Sequence, residues 1–170
     1  MPVAKVKLVH PNAKMPEKAN PSDAGFDVTV VEGPKINWVY NNNGKFYAQY
    51  VEYKTGLKVQ PEIGYHIDIY PRGSISKYDL ILANSIGLGD NGFTGEYCLR
   101  FRTTRPIFKD HINSGMTDEE ALNLFNINYY KPGDKACQFV FKKDEDVKLE
   151  LVEELNSTDR NEGKFGSTGV

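Results

Sequence analysis

Cysteine and histidine are scarce in this sequence. Two cysteines, Cys98 and Cys137, are too few for a disulfide scaffold and show no metal-ligand spacing. Three histidines, His10, His66 and His111, form no Cys/His cluster, so a zinc-activated water is not expected. Charge of one sign is missing as well. The formal net charge is −2, without the basic surplus of a chain that grips nucleic acid by its phosphates. No apolar run nears the ~20 residues of a membrane-spanning helix. The opening stretch, MPVAKVKLVHPNAKMPEK, lacks the apolar centre of a secretory signal. A Walker loop and a GxGxxG fingerprint are both absent. The expectation is one domain of 170 residues, large enough for a real core, in the reducing cytoplasm.

What is present alternates with period two. VAKVKLV sets Val3, Lys5 and Lys7 on one face and Ala4, Val6 and Leu8 on the other. YHIDIY groups Tyr65, Ile67 and Ile69, and VKLELVEEL groups Val147, Leu149 and Leu151, while CQFVF reads as a fully buried strand. Pro, Gly and Asn breaks separate these short runs, which predicts an all-β sandwich or barrel. A long hairpin over 36–53 turns at Asn43-Gly44, a strong tight-turn signal. Its arms carry Trp38, Tyr40, Phe46, Tyr47, Tyr50 and Tyr53. Those rings either pack within the domain or form a ribbon that meets a subunit or partner. One helix is predicted at TDEEALNLFN, where Thr117 and Glu120 make a capping box. It lies in a polar stretch, 107–128, that reads as an insertion between strands and carries no assigned chemistry.

Five segments can carry chemistry. DAGFDV places Asp23 and Asp27 around a glycine, either as a simple turn or as part of a site. PRGS ends a strand with Arg72, Gly73 and Ser74. Such an exit can hold a phosphate through charge-assisted hydrogen bonds worth roughly 1.5–3 kcal/mol each, or Arg72 can form a surface ion pair. LANSIGLGDNGFTGE is a glycine-rich hairpin whose exposed main chain could pair with a base such as uracil, with Phe93 lying against a sugar. PGDKACQF is a turn feeding the strand that bears Gln138. RNEGKFGSTG has three glycines, two hydroxyls, one ring and flanking positive charge, and suits neither helix nor strand. It is either an unstructured end or an arm that grips phosphate.

In this order the five segments resemble the motifs of the trimeric dUTP diphosphatases (dUTPases), and they span residues 23 to 169. The resemblance implies an all-β jelly-roll of the β-clip type, with one short helix in an insertion. It also implies a homotrimer with sites at subunit contacts. The domain would cover 1–159, and the arm 160–170 would close over the site of a neighbouring subunit. The implied reaction is dUTP plus water to dUMP plus pyrophosphate with Mg²⁺, limiting uracil in DNA and supplying dUMP for dTMP synthesis. Asp90 would hold and activate the attacking water. Arg72, Ser74, Gln138, Arg160, Ser167 and Thr168 would meet phosphates, with Gly73 and Gly166 in the same phosphate-binding segments. Leu88 and Gly89 would read the base through the main chain, supported by Asn84, and Gly87 and Cys98 complete the substrate-binding set. Phe93 would stack on deoxyribose so that a ribose 2′-OH collides, and Phe165 would cover the uracil. Asp27 would hold a metal-bound water.

The sequence departs from the family pattern in several places. Gly73 replaces a usual serine, Gly89 a β-branched residue, Phe93 a tyrosine, Thr94 a frequent arginine and Lys164 a glycine. Two alternatives stand beside the main reading. The related dCTP deaminases need a glutamate at the place taken by Arg100, and an arginine cannot serve as that base. A regulatory protein would keep the nucleotide pocket and dock a partner through 36–53 or 107–128. No membrane or direct nucleic-acid contact is expected.

Overall fold

The computed structural model describes residues 1–40, 42–113 and 115–158, with His111 through its backbone alone. Ten strands and one α-helix lie among the described residues. They are β1 (Lys5–Leu8), β2 (Phe26–Thr29), β3 (Glu32–Tyr40), β4 (Phe46–Lys54), β5 (Leu57–Gln60), β6 (Tyr65–Pro71), β7 (Leu80–Leu82), β8 (Gly87–Gly89), β9 (Cys98–Thr103), α1 (Asp118–Leu124) and β10 (Lys135–Lys143). Two four-stranded sheets run β2-β10-β6-β8 and β3-β4-β9-β7, with a two-stranded ribbon β1-β5. Every pairing is antiparallel. The all-β jelly-roll is therefore the fold, and no described helix is long and apolar enough to cross a membrane.

The two large sheets share one core because each strand turns alternate residues inward. Val28, Ile67, Ile69 and Phe139 come from one sheet, and Val51, Tyr53, Leu99 and Phe101 from the other. Burying each such side chain contributes roughly 1.5–3 kcal/mol. The CQFVF segment is less buried than its composition suggests. Cys137 and Phe139 are enclosed, while Gln138, Val140 and Phe141 are half-buried. β10 lies between β2 and β6 in hydrogen bonding yet packs on one face only, so the alternation persists.

VKLELVEEL forms no strand, and this corrects the period-two reading. Val147, Leu149 and Leu151 are all exposed, and Leu151 is 100% so. Alternation becomes a strand only where a ladder partner accepts it, and none of the described strands pairs with these residues.

The aromatic hairpin is β3-β4, with Gly44 at φ +73° in its turn. Its inner half joins the core through Ile36, Val51 and Tyr53. Its tip does not: Tyr40 and Phe46 stay exposed and meet edge to face at 4.2 Å. The 107–128 stretch is no free insertion. Ile107, Ala121, Leu122 and Ile127 are buried in the same core. Ala48 N donates to Ile107 O at 2.9 Å, and Ile36 N to Asp118 Oδ2 at 3.0 Å. Thr117 and Glu120 form the reciprocal cap that starts α1. The two unusual segments thus fold onto each other.

Candidate active site

Two of the sequence-predicted residues, Arg72 and Gln138, meet around the buried carboxylate of a third, Asp27. Asp27 on β2 stands directly opposite Gln138 on β10, and β10 also pairs with β6, whose end leads to Arg72. Arg72 Nε donates to Asp27 Oδ1 at 2.8 Å, and Gln138 Nε2 to the same oxygen at 3.1 Å. Lys135 Nζ donates to Oδ2 at 2.9 Å. Asp27 is only 4% exposed, so it needs these partners. Burial alone would raise its carboxyl. Donation by Lys135 and Gln138, with the charges of Arg72 and Lys135, outweighs burial and holds the group below the ordinary carboxylate range.

Lys135 was not among the residues singled out from sequence. It sits three positions before Gln138, and strict alternation would send the two side chains to opposite faces. A register shift between Lys135 and Cys137 breaks that alternation and turns both toward Asp27. Gly25 in DAGFD has a local reason too. A Cβ there would lie 3.0 Å from the Gln138 Cβ, so the glycine makes room for the glutamine. Gly73 has no such reason, since a Cβ at that position would meet nothing within 4 Å. Arg72, Gly73 and Ser74 enter a 3₁₀ turn over Gly73–Lys77.

The glycine-rich hairpin forms a second group. Asn84, Gly87 and Cys98 line a cavity of about 290 Å³ together with Ile69, Leu82 and Arg100. Arg100 is held by Glu52, with Nε to Oε2 at 2.7 Å, and its guanidinium lies 4.5 Å from the Tyr50 ring centre. Leu88 projects outward from β8, and Asp90 follows it as an exposed carboxylate. Phe93 N donates to Asp90 O at 3.0 Å, closing the turn. Phe93 is 45% exposed and rests edge to face on Tyr97 at 5.2 Å. Burial pushes the Tyr97 phenol up to about 12, and the nearby Asp90 charge adds to that.

β8 runs antiparallel to β6, with Ile69 opposite Gly87 and Ile67 opposite Gly89. Continuing that register sets Asp90 level with His66, six residues from Arg72, or roughly 20 Å along the strand. One chain therefore keeps the water-activating candidate and the cationic cluster apart. Arg160, Phe165, Gly166, Ser167 and Thr168 lie outside the described residues.

Comparison with known proteins gives this arrangement a family. No protein-family model matches the chain. The deoxyuridine 5′-triphosphate nucleotidohydrolase of Syntrophotalea carbinolica is 30% identical over 172 residues, covering 97% of this chain and 95% of that one. The same enzyme of Finegoldia magna is 33% identical over 117 residues, 68% of each chain. The dUTPase of Staphylococcus bacteriophage 80alpha, solved with dUPNHPP, superposes with a TM-score of 0.65 at 24% identity, covering 99% of both chains. The chain is an all-β hydrolase of the jelly-roll class. It belongs to the deoxyuridine 5′-triphosphate nucleotidohydrolase family.

Proposed function

We propose that this protein hydrolyses dUTP to dUMP and pyrophosphate, at a site shared between copies of the chain in a homotrimer. The observation that carries the reading is the pairing of two separated parts. One is a buried Asp27 that aims Arg72, Lys135 and Gln138, and the other is an exposed Asp90 on a glycine-rich hairpin. A triphosphate bound by the first part of one copy can be reached by Asp90 of another, which the separation within one chain does not permit.

Asp90 sets a water in line with the α-phosphorus and takes its proton as the P–O bond forms. General-base assistance of this kind contributes about 10²–10⁴-fold. Arg72, Lys135 and Gln138 meet the negative charge that shifts onto the departing pyrophosphate. The 290 Å³ cavity, lined by Asn84, Gly87 and Cys98, takes the base, and the main chain of Leu88 and Gly89 reads its edge. Phe93 takes the deoxyribose. A bound Mg²⁺ would neutralise charge on the triphosphate. Asp27 has one lone-pair direction left after three donors, which suits a metal-bound water.

The arm 160–170 completes the proposal as a lid over the 1–159 domain. Arg160, Ser167 and Thr168 would lie on phosphates, beside Gly166, with Phe165 on the uracil. The setting is the cytoplasm, where removal of dUTP would limit uracil in DNA and the dUMP formed would feed dTMP synthesis. The test is pyrophosphate release from dUTP, UTP, dTTP and dCTP, by the wild type and Asp90→Asn. The expected result is a strong dUTP preference and a nearly silent variant that still binds nucleotide. Equal turnover by Asp90→Asn would remove that residue from the mechanism.

A further inference from the structure

Gly89 and Tyr97 face each other beneath the hairpin that carries Asp90 and Phe93. A Cβ on Gly89 would lie 2.4 Å from the Tyr97 hydroxyl oxygen and 2.8 Å from its Cε1. The backbone of Gly89 is not left-handed, so space alone demands the glycine. Tyr97 has nowhere to go. It is 4% exposed, with the rings of Phe139 and Phe93 each 5.2 Å from its own, the latter at 88°. Its backbone is pinned as well: Tyr97 N donates to Leu57 O at 2.9 Å, and Tyr97 O accepts from the buried Thr55 hydroxyl at 2.6 Å.

The Tyr97 hydroxyl has no hydrogen-bond partner among the described residues. A buried polar group left unpaired is a cost that the fold carries for some other return. The contacts Tyr97 makes around this hairpin, to Phe93 and Phe139, are made by its ring. Phe93 meets it at right angles and stays 45% exposed. The ring at 97 occupies the volume that any side chain at 89 would need.

We infer that Tyr97 is a positioning residue for sugar discrimination: it fixes the height of the Phe93 ring above the hairpin, and Gly89 exists to admit it. The inference rests on the reading of this hairpin as the nucleoside site. A ribose 2′-OH is rejected only if Phe93 cannot retreat, and Tyr97 is the wall behind it.

The experiment compares wild type, Gly89→Val, Tyr97→Val, the double variant and Tyr97→Phe for kcat and KM on dUTP and UTP, with a melting curve for each. Tyr97→Val is expected to lose discrimination against UTP by roughly tenfold, a scale typical for one steric contact. Gly89→Val should lose dUTP turnover through its clash with the ring. The double variant should recover turnover and discrimination toward wild type, and Tyr97→Phe should keep the wild-type ratio. An unchanged dUTP-to-UTP ratio in folded Tyr97→Val, or a double variant no better than its worse parent, overturns the inference. A Tyr97→Phe ratio like that of Tyr97→Val also overturns it, by moving the role to the hydroxyl. Should Tyr97→Val fail to fold, Tyr97→Leu supplies the same comparison. Wild type that turns over no dUTP defeats the functional reading itself, a result separate from these.

Discussion

Replacing Asp27 by asparagine tests whether the carboxylate orients the cationic cluster. Asparagine keeps the shape and one acceptor, so Gln138 or Arg72 retains a partner. It places an amide donor against the Lys135 ammonium, where Oδ2 now accepts at 2.9 Å. Two charge-assisted bonds, to Arg72 and Lys135, lose their anion. Bonds to charged groups contribute roughly 1.5–3 kcal/mol each. Arg72 is about a third exposed and Lys135 about half, so both released heads can turn to water. After that discount the expected loss of folding stability is about 2 kcal/mol in all. The loss of activity should be larger, because a misplaced phosphate clamp costs about 10²-fold in turnover. Pyrophosphate release gives kcat and KM, and urea unfolding gives stability. A folded variant within about threefold of wild type in kcat/KM would refute the orienting role. A Mg²⁺ titration separates the two duties of the residue. An unchanged half-saturating concentration marks orientation alone, and a raised one marks a held metal-bound water.

Other outcomes follow from the same structure. Asp68 accepts from Lys142 at 2.5 Å and from the Tyr70 hydroxyl at 2.9 Å, and these bonds hold its carboxyl below the ordinary range although burial opposes them. Its contribution to stability is therefore complete above the unfolded value near ~3.9 and fades as pH falls through the lower folded value. Asp68→Asn should thus separate from wild type in melting temperature at neutral pH and converge with it in acid. A gap that stays constant down the pH series would contradict this. Leu122→Ala removes a side chain with no exposure, and should cost about 2–5 kcal/mol in urea unfolding. A loss nearer that of a surface change would return 107–128 to the status of an appendage.

Much of the architecture was legible because it rests on local chemistry. Alternation in YHIDIY grouped Tyr65, Ile67 and Ile69, of which the two isoleucines are buried and Tyr65 half-buried, Asn43-Gly44 marked the hairpin turn, and Thr117 with Glu120 marked the start of the helix. The five ordered motifs pointed to the family that the relatives confirm. Other features escaped because they depend on residues distant in the chain. VKLELVEEL has the right period and no strand to pair with. The 107–128 stretch reads as polar, yet Ile107, Leu122 and Ile127 find the core once β3-β4 folds over them.

By itself, then, the order of residues determined the strand pattern, the turn chemistry and which side chains could handle a phosphate or a base. Tertiary structure alone decided which of them lie together. The register shift at Lys135 brings a lysine onto Asp27 that strict alternation would send away, and the ring of Tyr97 gives Gly89 its reason. Period and propensity are properties of neighbours along the chain. A bulge or a close approach is settled only by what stands across the sheet.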